Sequence, residues 1–185
     1  MNPAPNLFFI GPMGAGKTTI GRRVADLLSL PFFDLDHEIE EHSGAAIALM
    51  FDVEGEAGFR HRESLVLAEF AARSGIVLST GGGAVLAEEN RRLLRERGFV
   101  VYLETTVDEQ LARLARDRKR PLLTAPDRRV RLEQLAAERG PLYRELADLT
   151  LPAGHSGSTQ AQAQRLVAQL AQGWQRAEPS AGRAA

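Results

Sequence analysis

The pattern Gly11-x-x-x-x-Gly16-Lys17-Thr18 stands directly after the apolar run "LFFI" (7–10) and directly before a helical pattern. No other feature of the chain restricts its fold as much. A glycine-rich loop between a buried strand and a helix makes a phosphate cradle. Its glycines let successive backbone N–H groups turn inward, and the helix N-terminus adds the positive end of its dipole to the same site. Lys17 would then reach the β and γ phosphates of ATP, and Thr18 would offer its hydroxyl to Mg²⁺, which keeps most of its waters and bridges phosphate oxygens. Candidate ATP-binding positions along the loop are Gly14, Ala15, Gly16, Lys17, Thr18 and Thr19. A dinucleotide-binding loop is the rival, and it fails on register: Gly14-x-Gly16 would need glycine where Thr19 stands.

The rest of the chain repeats the strand-then-helix order. Apolar runs at 7–10, "PFFDLD" (31–36), "GIVLST" (75–80), "FVVYLE" (99–104) and "LTLP" (149–152) read as buried strands. Between them, the spacing predicts helices over 18–30, 56–73, 88–97, 107–118 and 128–146. Such alternation implies an α/β fold of three layers, a P-loop kinase-like five-stranded parallel sheet with helices on both faces, and it places ligands beyond the carboxyl ends of the strands. With 185 residues, the expectation is one domain over 1–177 with a mobile lid at about 115–128, and a disordered tail over 178–185.

Charge and composition exclude other classes. Net charge is −1, so no global field would attract nucleic acid. No apolar run approaches the roughly 20 residues that span a bilayer, and "MNPAPN" lacks the basic flank and apolar core of a secretory signal. The chain has no cysteine, so it has neither disulfide nor thiolate metal site, and a cytoplasmic monomer is expected. Charge is nonetheless segregated: 34–63 holds nine acids against two arginines, whereas 113–139 holds nine basic residues against four acids. The basic stretch is either a solvated surface or a flap over an anionic ligand.

Two near-motifs fail. In "HEIEEH", His37 and His42 lie five apart, about 140° around a helix, and cannot share a metal. "GHSGS" (154–158) lacks the closing glycine of a nucleophile elbow and any later histidine to act as base. Better candidates follow the strands. Asp34-Leu35-Asp36, if extended, would aim both carboxylates at the ligand edge, one near Mg²⁺ and one toward a substrate hydroxyl; a helix cap is the other reading of Asp36. Gly81, Gly82 and Gly83 permit close backbone approach by a second small ligand, or form a plain turn. Arg60 and Arg139 sit on predicted helices, where guanidinium forks suit an acceptor's carboxylate or simply face solvent; Glu63 can hold the Arg60 fork.

Taken together, "GPMGAGKTTIGRRVA", "FFDLDHEIE", "GEAGFRHRE", "LSTGGGAV", "RPLL" and "RGPLY" resemble the shikimate kinases, in order and spacing, from about Leu7 to Pro152. The resemblance implies ATP-dependent phosphorylation of the 3-hydroxyl of shikimate. Asp36, Arg60, Gly82 and Arg139 would contact shikimate, with both arginines on its carboxylate and Asp36 on ring hydroxyls. Asp34 would assist Mg²⁺ through water. Arg120 would be the lid arginine that reaches ATP phosphates, Arg113 would lie beside the adenine, and the "GHSGS" segment would contribute to the adenine pocket. Lys17, Asp36 and Arg120 would be the catalytic set. Two other readings are a kinase for another small hydroxylated acceptor, such as gluconate, and a ligand-sensing module without turnover.

Overall fold

The computed structural model describes residues 3–115, 127–153 and 158–175. Its sheet holds β1 (Asn6–Ile10), β2 (Phe32–Asp34), β3 (Val77–Ser79), β4 (Gly98–Leu103) and β5 (Leu149–Leu151), all parallel, in the order β2-β3-β1-β4-β5. β1 is central and buried throughout. Its alternate side chains enter different layers, because successive Cβ atoms point to opposite faces of a strand.

Phe8 and Ile10 join Leu78, Val100 and Tyr102 under α2 (Leu35–Ser43), α3 (Ile47–Ala72), α4 (Glu88–Arg97) and α6 (Arg128–Leu146). On the other face, Leu7 and Phe9 join Val77, Phe99 and Val101 under α1 (Lys17–Leu28) and α7 (Thr159–Gly173). A smaller cluster of Met13, Leu114, Leu132 and Leu135 ties α5 (Val107–Leu114) and α6 to the loop after β1. Fully burying a side chain of this size contributes about 1.5–3 kcal/mol, so these layers hold the sheet edge in place for the loops above it.

Several boundaries differ from expectation for local reasons. α1 stops at Leu28 because Ser29 takes the left-handed conformation, φ 53°, at the helix end. α3 starts at Ile47, well before position 56, and is interrupted at Gly55, where φ is 71°. The arm before Gly55 is started by Glu40, whose Oε1 accepts from the Ile47 N–H at 2.9 Å. α7 is not among the expected helices, although Ala163, Leu166, Val167 and Leu170 recur at helical spacing; they find their partners on α1 and the sheet. α4 and α6 span 88–97 and 128–146 as expected. Most of the 115–128 segment, 116–126, lies outside the described residues, as do 154–157 and the 178–185 tail.

Candidate active site

Because all five strands are parallel, their carboxyl ends share one edge, and four loops meet there. The loop after β1 leaves the sheet through Gly11, φ 138°, where a Cβ would stand 2.5 Å from the Leu103 carbonyl oxygen. Only glycine passes that point. Gly16, φ 93°, opens α1 with no side-chain cap and no acid in the first turn, so the helix's first N–H groups are left for an anion. The Lys17 ammonium arches over its own loop, donating to the carbonyls of Gly11 (2.8 Å) and Pro12 (2.9 Å). It is thus held at the cradle's mouth.

At the same mouth, the Thr18 hydroxyl donates to Asp34 Oδ2 at 2.6 Å. A hydroxyl and a carboxylate make an all-oxygen donor pair suited to Mg²⁺. Among the described residues no group of three or more His, Cys, Asp or Glu side chains could hold a metal, so such an ion would rely mainly on phosphate oxygens and water.

The extended Asp34-Leu35-Asp36 geometry does not occur. β2 ends at Asp34 and α2 begins at Leu35; Asp34, still extended at φ −111°, ψ 116°, is the cap, its Oδ1 accepting from the Asp36 N–H at 3.1 Å. The cap is therefore Asp34 and not Asp36. Its two oxygens divide the work, one to the helix end and one to Thr18. Asp36 rides on the first helical turn instead, and reaches a hollow beyond β3.

That hollow is lined by Met13 of the phosphate loop, Asp36, Phe51, Phe59, Arg60, Glu63, Arg139 and the backbone of Gly81, Gly82 and Gly83. Each glycine of the triplet faces a different group. A Cβ on Gly81 would lie 2.8 Å from both Asp36 Oδ1 and Glu63 Oε1; on Gly83 it would lie 2.3 Å from three atoms of the Arg60 guanidinium; on Gly82 it would stand 3.5 Å from the Met13 nitrogen. Three bare backbone positions let two carboxylates, a guanidinium and the phosphate loop close on one spot.

Arg60 is gripped by Glu63 (2.6 Å) and Glu56 (3.2 Å). Burial opposes its charge, but those two carboxylates outweigh burial and raise its pKa. Burial pushes the Glu63 carboxyl above its ordinary range; Arg60 pulls it back in part, and Asp36 adds to the rise. Arg139 is 4% exposed, and its Nε, like Arg60 Nε and Glu63 Oε1, is buried with no hydrogen-bond partner among the described residues. Buried polar atoms are normally paired, so this concentration of unpaired ones marks a place where a polar ligand would supply the missing bonds. Arg113 donates to the Gly14 carbonyl at 2.9 Å and, with Ala15, Glu104, Pro152, Ala153 and Gln162, lines a second hollow behind the loop.

The structure therefore brings Asp36, Arg60, Gly82 and Arg139 to one hollow, and Lys17, Thr18 and Asp34 to the adjoining cradle. Arg120 lies outside the described residues. Sequence reading missed the apolar wall of Met13, Ile47, Phe51 and Phe59. Phe51 and Phe59 meet with ring centroids 4.7 Å apart across the Gly55 break; a glycine midway between two phenylalanines was the available signal.

A family model described as shikimate kinase matches residues 13–171. A shikimate kinase of Stenotrophomonas maltophilia is 55% identical over 98% of this chain and 100% of its own length. One of Pasteurella multocida is 61% identical over 80% of this chain and 85% of its own. Among solved structures, the shikimate kinase of Acinetobacter baumannii in complex with shikimate superposes with a TM-score of 0.88 at 47% identity, covering 91% of this chain and 94% of the other. That of Aquifex aeolicus gives 0.77 at 30% identity, covering 90% and 96%. A P-loop alone serves many unrelated functions, but a match of this extent, on top of a charged hollow built against the loop, identifies the chain as a member of the shikimate kinase family.

Proposed function

We propose that this chain transfers the γ-phosphoryl group of ATP to the 3-hydroxyl of shikimate, releasing shikimate 3-phosphate and ADP. The observation that carries the reading is the adjacency of two sites of opposite design: a cradle of N–H groups with one lysine, and a hollow with two guanidinium groups and an aspartate, sharing Met13 as their common wall. A carboxylated alcohol fits the second site. Arg60 and Arg139 would clamp its carboxylate, and Asp36 would orient a ring hydroxyl toward the loop and take its proton as the phosphoryl group arrives.

Phosphoryl transfer of this kind depends on alignment and charge stabilisation more than on covalent help. Lys17 would leave the Gly11 and Pro12 carbonyls for the β and γ phosphates, exchanging neutral acceptors for charged ones. Thr18, with Asp34 through water, would hold Mg²⁺, which supplies charge neutralisation between those phosphates. Arg120, assigned by family resemblance, would add a third cation when the 115–128 segment closes and excludes water as competing acceptor. Arg113 would lie beside the adenine in the second hollow. One domain acting as a cytoplasmic monomer completes the reading; among the described residues no helix is long and apolar enough to cross a membrane.

The test is an ADP-release assay with Mg-ATP, run without acceptor, with shikimate and with gluconate. Release that depends on shikimate, with shikimate 3-phosphate as product, is expected. Equal ADP release in all three arms, or release that depends on gluconate alone, refutes the assignment.

A further inference from the structure

Tyr143 follows Arg139 by one turn of α6, so the two side chains share a helix face. The ring is 2% exposed and lies stacked on Tyr102, centroids 5.1 Å apart with an interplanar angle of 24°. Packing alone would be served by phenylalanine. The hydroxyl, however, donates to the Gly82 carbonyl, and burial raises the phenol pKa, a rise that the charge of the nearby Arg139 guanidinium partly offsets. Gly82 in turn touches the phosphate loop: a Cβ there would lie 3.5 Å from the Met13 nitrogen and 3.6 Å from both the Gly11 oxygen and the Tyr143 hydroxyl. Tyr102 closes the circuit, since its ring would meet a Cβ on Gly11 at 3.4 Å. One phenol is therefore bonded to the acceptor loop one helical turn from the acceptor clamp, while its stacking partner flanks the first residue of the donor loop.

We infer that Tyr143 is a positioning residue for phosphoryl transfer: its hydroxyl holds the Gly82 peptide in register, fixing the acceptor hollow relative to the phosphate loop. The inference rests on the reading of the hollow as the acceptor site. Burial, the foremost influence on the phenol, holds it protonated far above neutrality, so the group donates to Gly82 throughout the working pH range. With the hydroxyl gone, the Gly82 carbonyl would be free to turn. A misplacement of about 1 Å far from the chemistry can cost up to about 10²-fold in rate.

The experiment compares wild type with Tyr143→Phe, which keeps the ring and its stack, and with 4-aminophenylalanine at position 143, which restores a donor. Shikimate-dependent turnover by wild type is established first, so that a wrong substrate is not mistaken for a wrong role. The expected result for Tyr143→Phe is a shikimate KM raised about 10-fold and kcat lowered about 10-fold, with the ATP KM within about twofold of wild type. The 4-aminophenylalanine protein should recover most of both losses. A purely structural hydroxyl would lower the melting temperature and leave the split between the two KM values unmoved. Shikimate KM and kcat within twofold of wild type in Tyr143→Phe, or no recovery with the restored donor, overturns the inference.

Discussion

Gly83→Ala puts a methyl group where the Arg60 guanidinium lies. The new Cβ would stand 2.3 Å from Cζ, Nη1 and Nη2, whereas ordinary contact begins near 3.4 Å, so the guanidinium has to retreat by about 1 Å or turn away. Arg60 is the far end of a flexible side chain and can move. Its aim at the hollow is what would be lost, together with the geometry of the 2.6 Å contact to Glu63. A hydrogen bond to a charged group contributes about 1.5–3 kcal/mol, which corresponds to about a 10- to 150-fold rise in shikimate KM. The phosphate loop proposed for ATP lies against Gly82 rather than Gly83, and the ATP KM should change less than about twofold. Initial rates of ADP release, with each substrate varied at saturating levels of the other, measure both constants. A shikimate KM within twofold of wild type would mean that Arg60 does not need the bare backbone at Gly83, and would remove it from the carboxylate clamp.

Asp36→Asn keeps the shape of the hollow but removes the proposed proton acceptor; kcat should fall by about 10²–10³ with ATP binding unchanged, measured by turnover and by calorimetric titration of the nucleotide. Gly98→Ala would set a Cβ 2.2 Å from the buried Phe8 ring, and overpacking of that kind costs about 1–3 kcal/mol, which should lower the melting temperature by roughly 2–12 °C while leaving KM values alone at 20 °C. His42 has its pKa raised by hydrogen bonding to the Glu38 carbonyl and by Glu69, against a smaller opposing effect of desolvation. Since the folded chain holds that proton more tightly, the stabilisation is fully present below about pH 6.5 and disappears as pH rises through the folded value. Melting curves of wild type and His42→Gln should therefore differ slightly at pH 5.5 and converge at pH 8.5; a difference that grows with pH would contradict the sign.

The fold class was legible because its signals are local. Strand runs such as Leu7–Ile10 are apolar on both faces, as a strand covered on two sides must be, and the helix over 88–97 carries its periodicity in contiguous residues. The phosphate cradle was legible for the same reason, since one loop supplies all of it. α7 was missed although Ala163, Leu166 and Leu170 recur at helical spacing; what that face packs on, α1 and the sheet, only the fold shows. At Asp34 the expectation failed on a competition that sequence does not decide: an extended run and a capped helix start are both open to Asp-Leu-Asp, and packing of Leu35 and Ile39 into the core selects the helix.

By itself, then, the sequence determined the sheet's strands, the nucleotide loop and the residue types of an acceptor site. Tertiary structure alone decided that Asp34 is the cap and Thr18's partner while Asp36 faces the acceptor, that the three glycines seat three different groups, and that Tyr143 reaches Gly82. Residues 36, 60, 82 and 139 are far apart along the chain, and only the burial of both sheet faces, which aligns the carboxyl ends of parallel strands at one edge, brings them to one hollow with Tyr143 behind Gly82.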